Sequence, residues 1–288
     1  MPLLSTEYIS KWYYLEDLNN TNNIVLVQTC TQNLVTSSEP NQLIAGHAGS
    51  MSITPSQLDW STSLMSPVLV INNIVPSDSR THKDLFTFVK EKYDYLLNHL
   101  NYGGTEYPLD SSHLMRKFTI KIENDVEIDT DLIGNLGSYF NNTLSVDDEK
   151  KQLSSKDFIA RSIKFYDVNF YVNGTQLKLM SADITGNFDY SKSYFINSMT
   201  SMPFYGVNFF KLNGKIEILI PVSEWTSFSV IEQEYNALFT EQANVSIQIQ
   251  NEYLNLGQIN LKNSLTFNLN GGLTTVSVTF ETYARYRE

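Results

Sequence analysis

The sequence predicts a mainly β protein of the α+β class, built as two tandem copies of one antiparallel sheet domain, each with one helix packed on its sheet. Three observations predict it. Apolar and polar residues alternate along several stretches, as with Phe118, Ile120 and Ile122 against Thr119, Lys121 and Glu123, the period of a sheet with one buried side. Tight-turn pairs such as Asn173-Gly174 separate these stretches, and such pairs supply the positive φ that two-residue hairpin loops need. A helix-then-strand pattern also occurs twice.

That repeat aligns residues 86–98 with residues 228–240, so that Phe86 falls on Phe228, Tyr93 on Tyr235 and Leu96 on Leu238, an offset of 228 − 86 = 142. Ile120, Ile122 and Asn124 fall on Ile247, Ile249 and Asn251, an offset of 247 − 120 = 127. Upstream, Ile53, Thr54, Asp59, Trp60 and Ser61 correspond to Ile184, Thr185, Asp189, Tyr190 and Ser191. Three matches in one order indicate duplication. The expected organisation is an N-terminal arm over residues 1–23, a first domain over 24–156 and a second over 157–288.

In chain order, the arm carries Tyr8, Trp12, Tyr13 and Tyr14, then an Asn-rich run over 19–23 that breaks regular structure. Two readings stand: a short amphipathic helix on its own domain, or an arm docking on a neighbouring subunit. Residues 24–29 and 68–75 read as strands, the latter ending at Pro76. Thr81 is placed to cap a helix over about 82–100 with Leu85, Val89, Leu96 and Leu100 as its apolar stripe. The polar, charged segment 141–156 reads as the boundary between halves. Residues 163–172 and 176–180 form a hairpin about Asn173-Gly174, and 207–212 and 215–220 a second about Asn213-Gly214. Ser223 or Ser227 caps the second helix, whose expected buried face is Phe228, Ile231, Tyr235 and Leu238 together with Phe239. A last hairpin turns at residues 270–272 into a long closing strand with Val276, Val278 and Phe280 on one face.

The composition narrows function. The chain has 288 residues, one cysteine (Cys30) and four histidines without ligand spacing, so neither an internal disulfide nor a Cys-based zinc site is expected. Carboxylates at 123, 125, 127, 129 and 131 lack the spacing of a Ca²⁺ loop. Gly46 to Gly49 lacks the lysine of a phosphate-binding loop, and no Gly-x-Ser-x-Gly occurs. No metal, cofactor or enzymatic activity is expected. No basic segment precedes an apolar run and no stretch is long enough to span a bilayer, so no membrane association is expected; the four sequons, at Asn19, Asn141, Asn173 and Asn244, read as products of an Asn-rich composition. The formal net charge is −11, with cations scattered, which argues against tight phosphate binding because such affinity needs clustered cations.

The order hairpin, hairpin, helix over about 225–242, strand over 245–250 and closing strand over 275–286 resembles the tail tube, tube-initiator and baseplate hub proteins of contractile-tailed bacteriophages. The resemblance covers residues 163–286 and, through the repeat, more loosely 24–162. It implies tube-like sandwich or half-barrel domains that lend strands to a ring-shaped barrel between subunits. The implied partners are further copies, as a trimer or hexamer, and adjacent tube or baseplate proteins, with DNA only in passage. The implied place is the virion, after synthesis in the host cytoplasm. Ordinary tube subunits hold one copy of the domain; two in one chain fit a hub or initiator.

Two polar strand faces are candidates for the lumen: Ser246, Gln248 and Gln250 in one strand, and Ser277, Thr279 and Glu281 in the closing strand. Both carry almost no positive charge, as a conduit for a polyanion requires; the alternative is that both face solvent. The rival function is a non-catalytic receptor- or carbohydrate-binding sandwich of a virion, using exposed Tyr and Trp.

Overall fold

The computed structural model of the chain describes residues 13–17, 20–37, 57–72, 81–101, 114–134, 141–145, 159–193, 204–220, 227–261, 265–270 and 273–285. These residues are mainly antiparallel β-strand, with two helices, as the alternation predicts. In order they form β1 (Tyr13–Asp17), β2 (Asn20–Val27), β3 (Thr29–Ser37), β4 (Gln57–Pro67), β5 (Leu69–Asn72), β6 (Thr81–Lys83), α1 (Leu85–Asn101), β7 (Leu114–Ile122), β8 (Val126–Gly134), β9 (Asn141–Ser145) and β10 (Ile159–Ser162). Then follow β11 (Val168–Val172), β12 (Thr175–Ser193), β13 (Phe204–Ile220), α2 (Phe228–Leu238), β14 (Ala243–Ile249), β15 (Glu252–Ile259), β16 (Leu265–Asn270) and β17 (Leu273–Arg285).

An 11-stranded sheet dominates, and all its pairings are antiparallel. One continuous eight-strand run through it is β3-β4-β8-β7-β12-β13-β17-β16, with β11, β14 and β15 joined through the start of β12. The run falls into two parts with one connection order. In β3-β4-β8-β7, two successive strands precede α1, a hairpin follows it, and the hairpin's second strand lies on β4. In β12-β13-β17-β16, two successive strands precede α2, a hairpin follows after β14 and β15, and its second strand lies on β13. The strand that holds the place of β7 in the second part is therefore β16, where the sequence match pointed to β14. The parts meet where β7 pairs with β12, and buried residues of both belong to one core cluster.

The helices lie against this core. Asp84, not Thr81, caps α1: its Oδ1 accepts from the Thr87 N–H at 2.7 Å, and Thr81–Lys83 instead forms β6, parallel to β2. Leu85, Phe86, Phe88, Val89, Tyr93 and Leu96 of α1 are all buried, a face wider than the expected stripe. Tyr93 meets Phe118, Phe188 and Phe210 edge-on at 5.5, 6.2 and 5.4 Å, the geometry that aromatic quadrupoles favour. Ser227 caps α2, whose Ile231 and Tyr235 are buried. Phe228, expected in that face, is 43% exposed: it sits at the first turn of α2, where its ring meets Phe267 of β16 edge-on at 5.5 Å.

Other expectations are corrected by non-local pairing. The turn at Asn173-Gly174 is present, with φ of 49° and 82°. Asn213-Gly214 makes no turn: β13 runs straight through it, with Gly214 opposite Ile184 and Phe280. A Cβ at Gly214 would lie 2.7 Å from the Phe280 ring and 2.9 Å from the Asp183 carbonyl, so the glycine serves a close approach inside a strand. The Asn-rich run starts β2, and Asn141–Ser145, placed in the expected boundary, is β9 on β1. Residues 53–54 of the repeat and the Gly46 to Gly49 segment lie outside the described residues.

Candidate functional site

Alternation gives the long sheet two unlike faces. One face is core: the row Leu64, Thr130, Phe118, Gly186 and Leu212 runs across it from β4 to β13, all buried. One residue along each strand lies the opposite face, with Ser63, Asp131, Lys117, Asn187 and Lys211 in register. That face is mainly polar from β4 to β17, with Met65 and Phe209 also exposed on it, and is tied by cross-strand bonds. Ser63 Oγ donates to Asp131 at 2.6 Å, Thr119 and Thr185 hydroxyls meet at 3.2 Å, and Thr275 Oγ1 donates to Glu217 at 2.9 Å.

Its charges are mixed. Lys117 stands opposite Asp131, Lys121 opposite Glu127 and Asp183, and Lys215 opposite Asp183; Lys211 forms an ion pair with Glu281. These four lysines thus each have a carboxylate beside them, whereas Lys178, exposed on β12, stands opposite Leu219; pairing with carboxylates leaves few uncompensated cations to grip phosphate. A shallow depression of about 270 Å³ lies on this face near β3, lined by Thr29, Thr31, Ser63, Lys117, Asp129 and Asp131 among others. Burial pushes the Asp129 carboxyl above its ordinary value, with Lys121 and Lys117 opposing.

The candidate lumen residues divide. Ser277, Thr279 and Glu281 lie on the polar face of the long run: Ser277 is half-buried and accepts from Asn268 Nδ2 at 3.1 Å, while Thr279 and Glu281 are exposed. From Thr274 to Thr282 the strand itself carries no cation, but β13 brings Lys211 and Lys215 beside it. Ser246 and Gln248 lie on β14, both half-buried. Gln248 is engaged: its Oε1 accepts from Asn169 Nδ2 at 3.1 Å and Tyr171 OH at 3.0 Å, and its Nε2 donates to the Gln250 carbonyl at 3.1 Å. Gln250 is not on the strand face; it is in the turn after β14, with φ of 56°, because the strand ends at Ile249 where β15 folds back. Of the arm residues, Tyr8 and Trp12 lie outside the described residues. Tyr13 and Tyr14 belong to β1, whose backbone pairs within the chain with β2 and β9.

The sequence reading missed the edges. Among the described residues β3, β15 and β16 each have a single strand partner, so one side of each ladder is open. Exposed apolar side chains gather at the β16 end: Leu269 is 56% and Leu273 51% exposed, at the tip of the β16–β17 hairpin, beside Phe228 against Phe267. Pairing order is what makes an edge, and no local pattern announces it.

Among the described residues no cluster of three His, Cys, Asp or Glu side chains could hold a metal, and no helix is long and apolar enough to cross a membrane. No family model matches the chain, and no curated protein matches it in sequence.

Proposed function

We propose that the chain is a structural subunit of a ring around the DNA channel of a contractile phage tail, at its tube, tube-initiation complex or baseplate, and that its two halves are tandem copies of one tube-like domain. The observation that carries the reading is the long all-antiparallel run, whose end strands each have a single partner among the described residues, with a mainly polar face on which Lys117, Lys121, Lys211 and Lys215 are set beside carboxylates. Open edges are an aggregation liability in a monomer and are abolished when a sheet closes on neighbours. A mainly polar face with few uncompensated cations suits a wall past which a polyanion slides. On this reading Ser277, Thr279 and Glu281 line the lumen, and Ser246 and Gln248 flank it.

Sedimentation of the purified chain over a range of concentrations, with negative-stain images, tests the assembly: rings or stacks are expected, and monomer at every concentration would overturn it. Thr279→Lys, which adds a cation next to Lys215, tests the lumen. Slower DNA ejection, more so at low salt, is expected from particles carrying it; a normal rate would refute the placement.

A second reading, a glycan-binding sandwich, is favoured by the side-by-side rings of Tyr171 and Tyr253, 6.3 Å apart, next to the amides of Asn169, Gln176 and Gln248. A monomer that loses glycan binding on Tyr253→Ala would support it over the ring.

A further inference from the structure

The two parts of the long run match in register as well as in order. The cross-strand row Cys30, Leu64, Thr130, Phe118 of the first part has the same place as the row Ala182, Ile216, Val278, Leu265 of the second. Two landmarks fix this phase. The strand leading into each row is interrupted two residues before it: at Gln28, between β2 and β3, and at Met180, where the register of β12 shifts. The last inward-facing pair before each hairpin turn is Ile122 with Val126 in one part and Leu269 with Thr274 in the other. With this phase β7 corresponds to β16, and β12 to β3.

Inside the chain β7 pairs with β12, but the equivalent pair is left unmade among the described residues, where β16 and β3 are the two ends of the run and each has one strand partner. We propose that the open side of β16 is an interaction surface for a second copy of this chain, and that it receives the neighbour's β3 in the register copied from β7 and β12. Ile122 opposite Ala182, and Lys121 opposite Asp183, then become Leu269 opposite Cys30 of the next copy, and Asn268 opposite Thr31. This rests on the ring reading and adds to it which edges meet and in what register.

Three features of the chain support a copy of itself as the occupant. The run holds four strands from each part with alternating direction, so rotating one copy onto the next brings β16 against β3 antiparallel, continuing the existing pattern. Phe118 lies opposite Gly186, whereas the residue equivalent to Cys30 is Ala182, so the internal junction steps the row by 186 − 182 = 4 residues. The same step at the β16–β3 junction gives the constant stagger that a closed barrel requires. The exposed apolar Leu269 lies on this edge strand, on the same face as Phe267 with its neighbour Phe228, where a covering strand and its neighbours would bury it. A heterologous contact of this kind generates rings when the rotation closes.

Cysteine cross-linking of the full chain tests the junction. Directly opposed residues in antiparallel strands have Cα atoms about 4.5–5.5 Å apart, inside the disulfide range of about 4.4–6.8 Å. Leu269→Cys, retaining Cys30, is therefore expected to link neighbours when diamide takes two electrons and two protons from the paired thiols. A non-reducing gel should show a ladder ending at the ring size, and Cys30→Ser should abolish it. Thr266→Cys is displaced by three residues, about 10 Å along the strand, and should not link to Cys30. Asn268→Cys with Thr31→Cys, in a Cys30→Ser background, provides an independent pair should one variant fold poorly. Linking by Thr266→Cys but not by Leu269→Cys would overturn the register. An assembled oligomer in which neither pair links would overturn the β16–β3 junction while leaving the ring intact. A chain that is monomeric throughout and unlinked would overturn both.

Discussion

Gly186→Ala offers a direct probe of how the two parts of the sheet are joined. Gly186 sits in β12 opposite Phe118 of β7, and an added Cβ would lie 2.2 Å from Cε1 and 2.6 Å from Cζ of that ring. Ordinary contact begins near 3.4 Å, so the overlap is 3.4 − 2.2 = 1.2 Å. The ring has little room to retreat: Phe118 is fully buried and Tyr93 stands edge-on to it at 5.5 Å. Overpacking of a close-packed core costs about 1–3 kcal/mol, and a boxed aromatic places this case near about 3 kcal/mol. At about 2–4 °C per kcal/mol for domains of 150–250 residues, the melting temperature should fall by about 6–12 °C. Guanidinium and thermal unfolding measure this. A companion Phe118→Leu variant removes the clashing ring edge, so the double variant should be more stable than the sum of the single changes implies, by at least about 0.5 kcal/mol. A loss below about 0.5 kcal/mol for Gly186→Ala, or strict additivity with Phe118→Leu, would refute the packing at this junction.

Three further outcomes are expected. The Tyr93 hydroxyl is buried without a hydrogen-bond partner among the described residues, and an unsatisfied buried group costs about 1–3 kcal/mol; Tyr93→Phe should therefore hold or raise stability, and a loss above about 1 kcal/mol in denaturant titration would show that the hydroxyl is satisfied. Ile231→Ala should cost about 2–5 kcal/mol as a core truncation, whereas Phe228→Ala should cost about 1 kcal/mol or less in the free chain, and the reverse ranking would mean that α2 presents another face. Burial pushes the Asp84 carboxyl above its ordinary value of 3.8, against the opposing Thr87 N–H, so its contribution to stability is full below about 3.8 and is lost as pH rises through the raised value. Asp84→Asn keeps a capping acceptor without the charge; its stability relative to the parent should be greatest near pH 7 and decline toward pH 4, and a difference that grows on acidification would contradict the sign.

The sequence by itself determined whatever rests on local physics. The period-two alternation of residues 118–122 placed Phe118, Ile120 and Ile122 inside, the positive-φ pair Asn173-Gly174 made its hairpin, one of the two serines offered as caps, Ser227, capped α2, and the spacing of Ile231 and Tyr235 chose its buried face. Only the tertiary structure decided what rests on pairing between distant strands. The dipeptide that turns the chain at 173 passes straight through β13 at 213, because Gly214 there has Phe280 and the Asp183 carbonyl pressed against it. Gln250 alternates with Gln248 in sequence but falls in a turn, since β15 folds back at Ile249. Strands with like alternation are interchangeable to local inspection, so the resemblance of residues 118–124 to 245–251 could not reveal that β16 takes the place of β7. The open edges followed in turn from that order. Turn and alternation energies act within a few residues, whereas register and edge identity are fixed by contacts between residues far apart in the chain, and those contacts exist only once the core has closed.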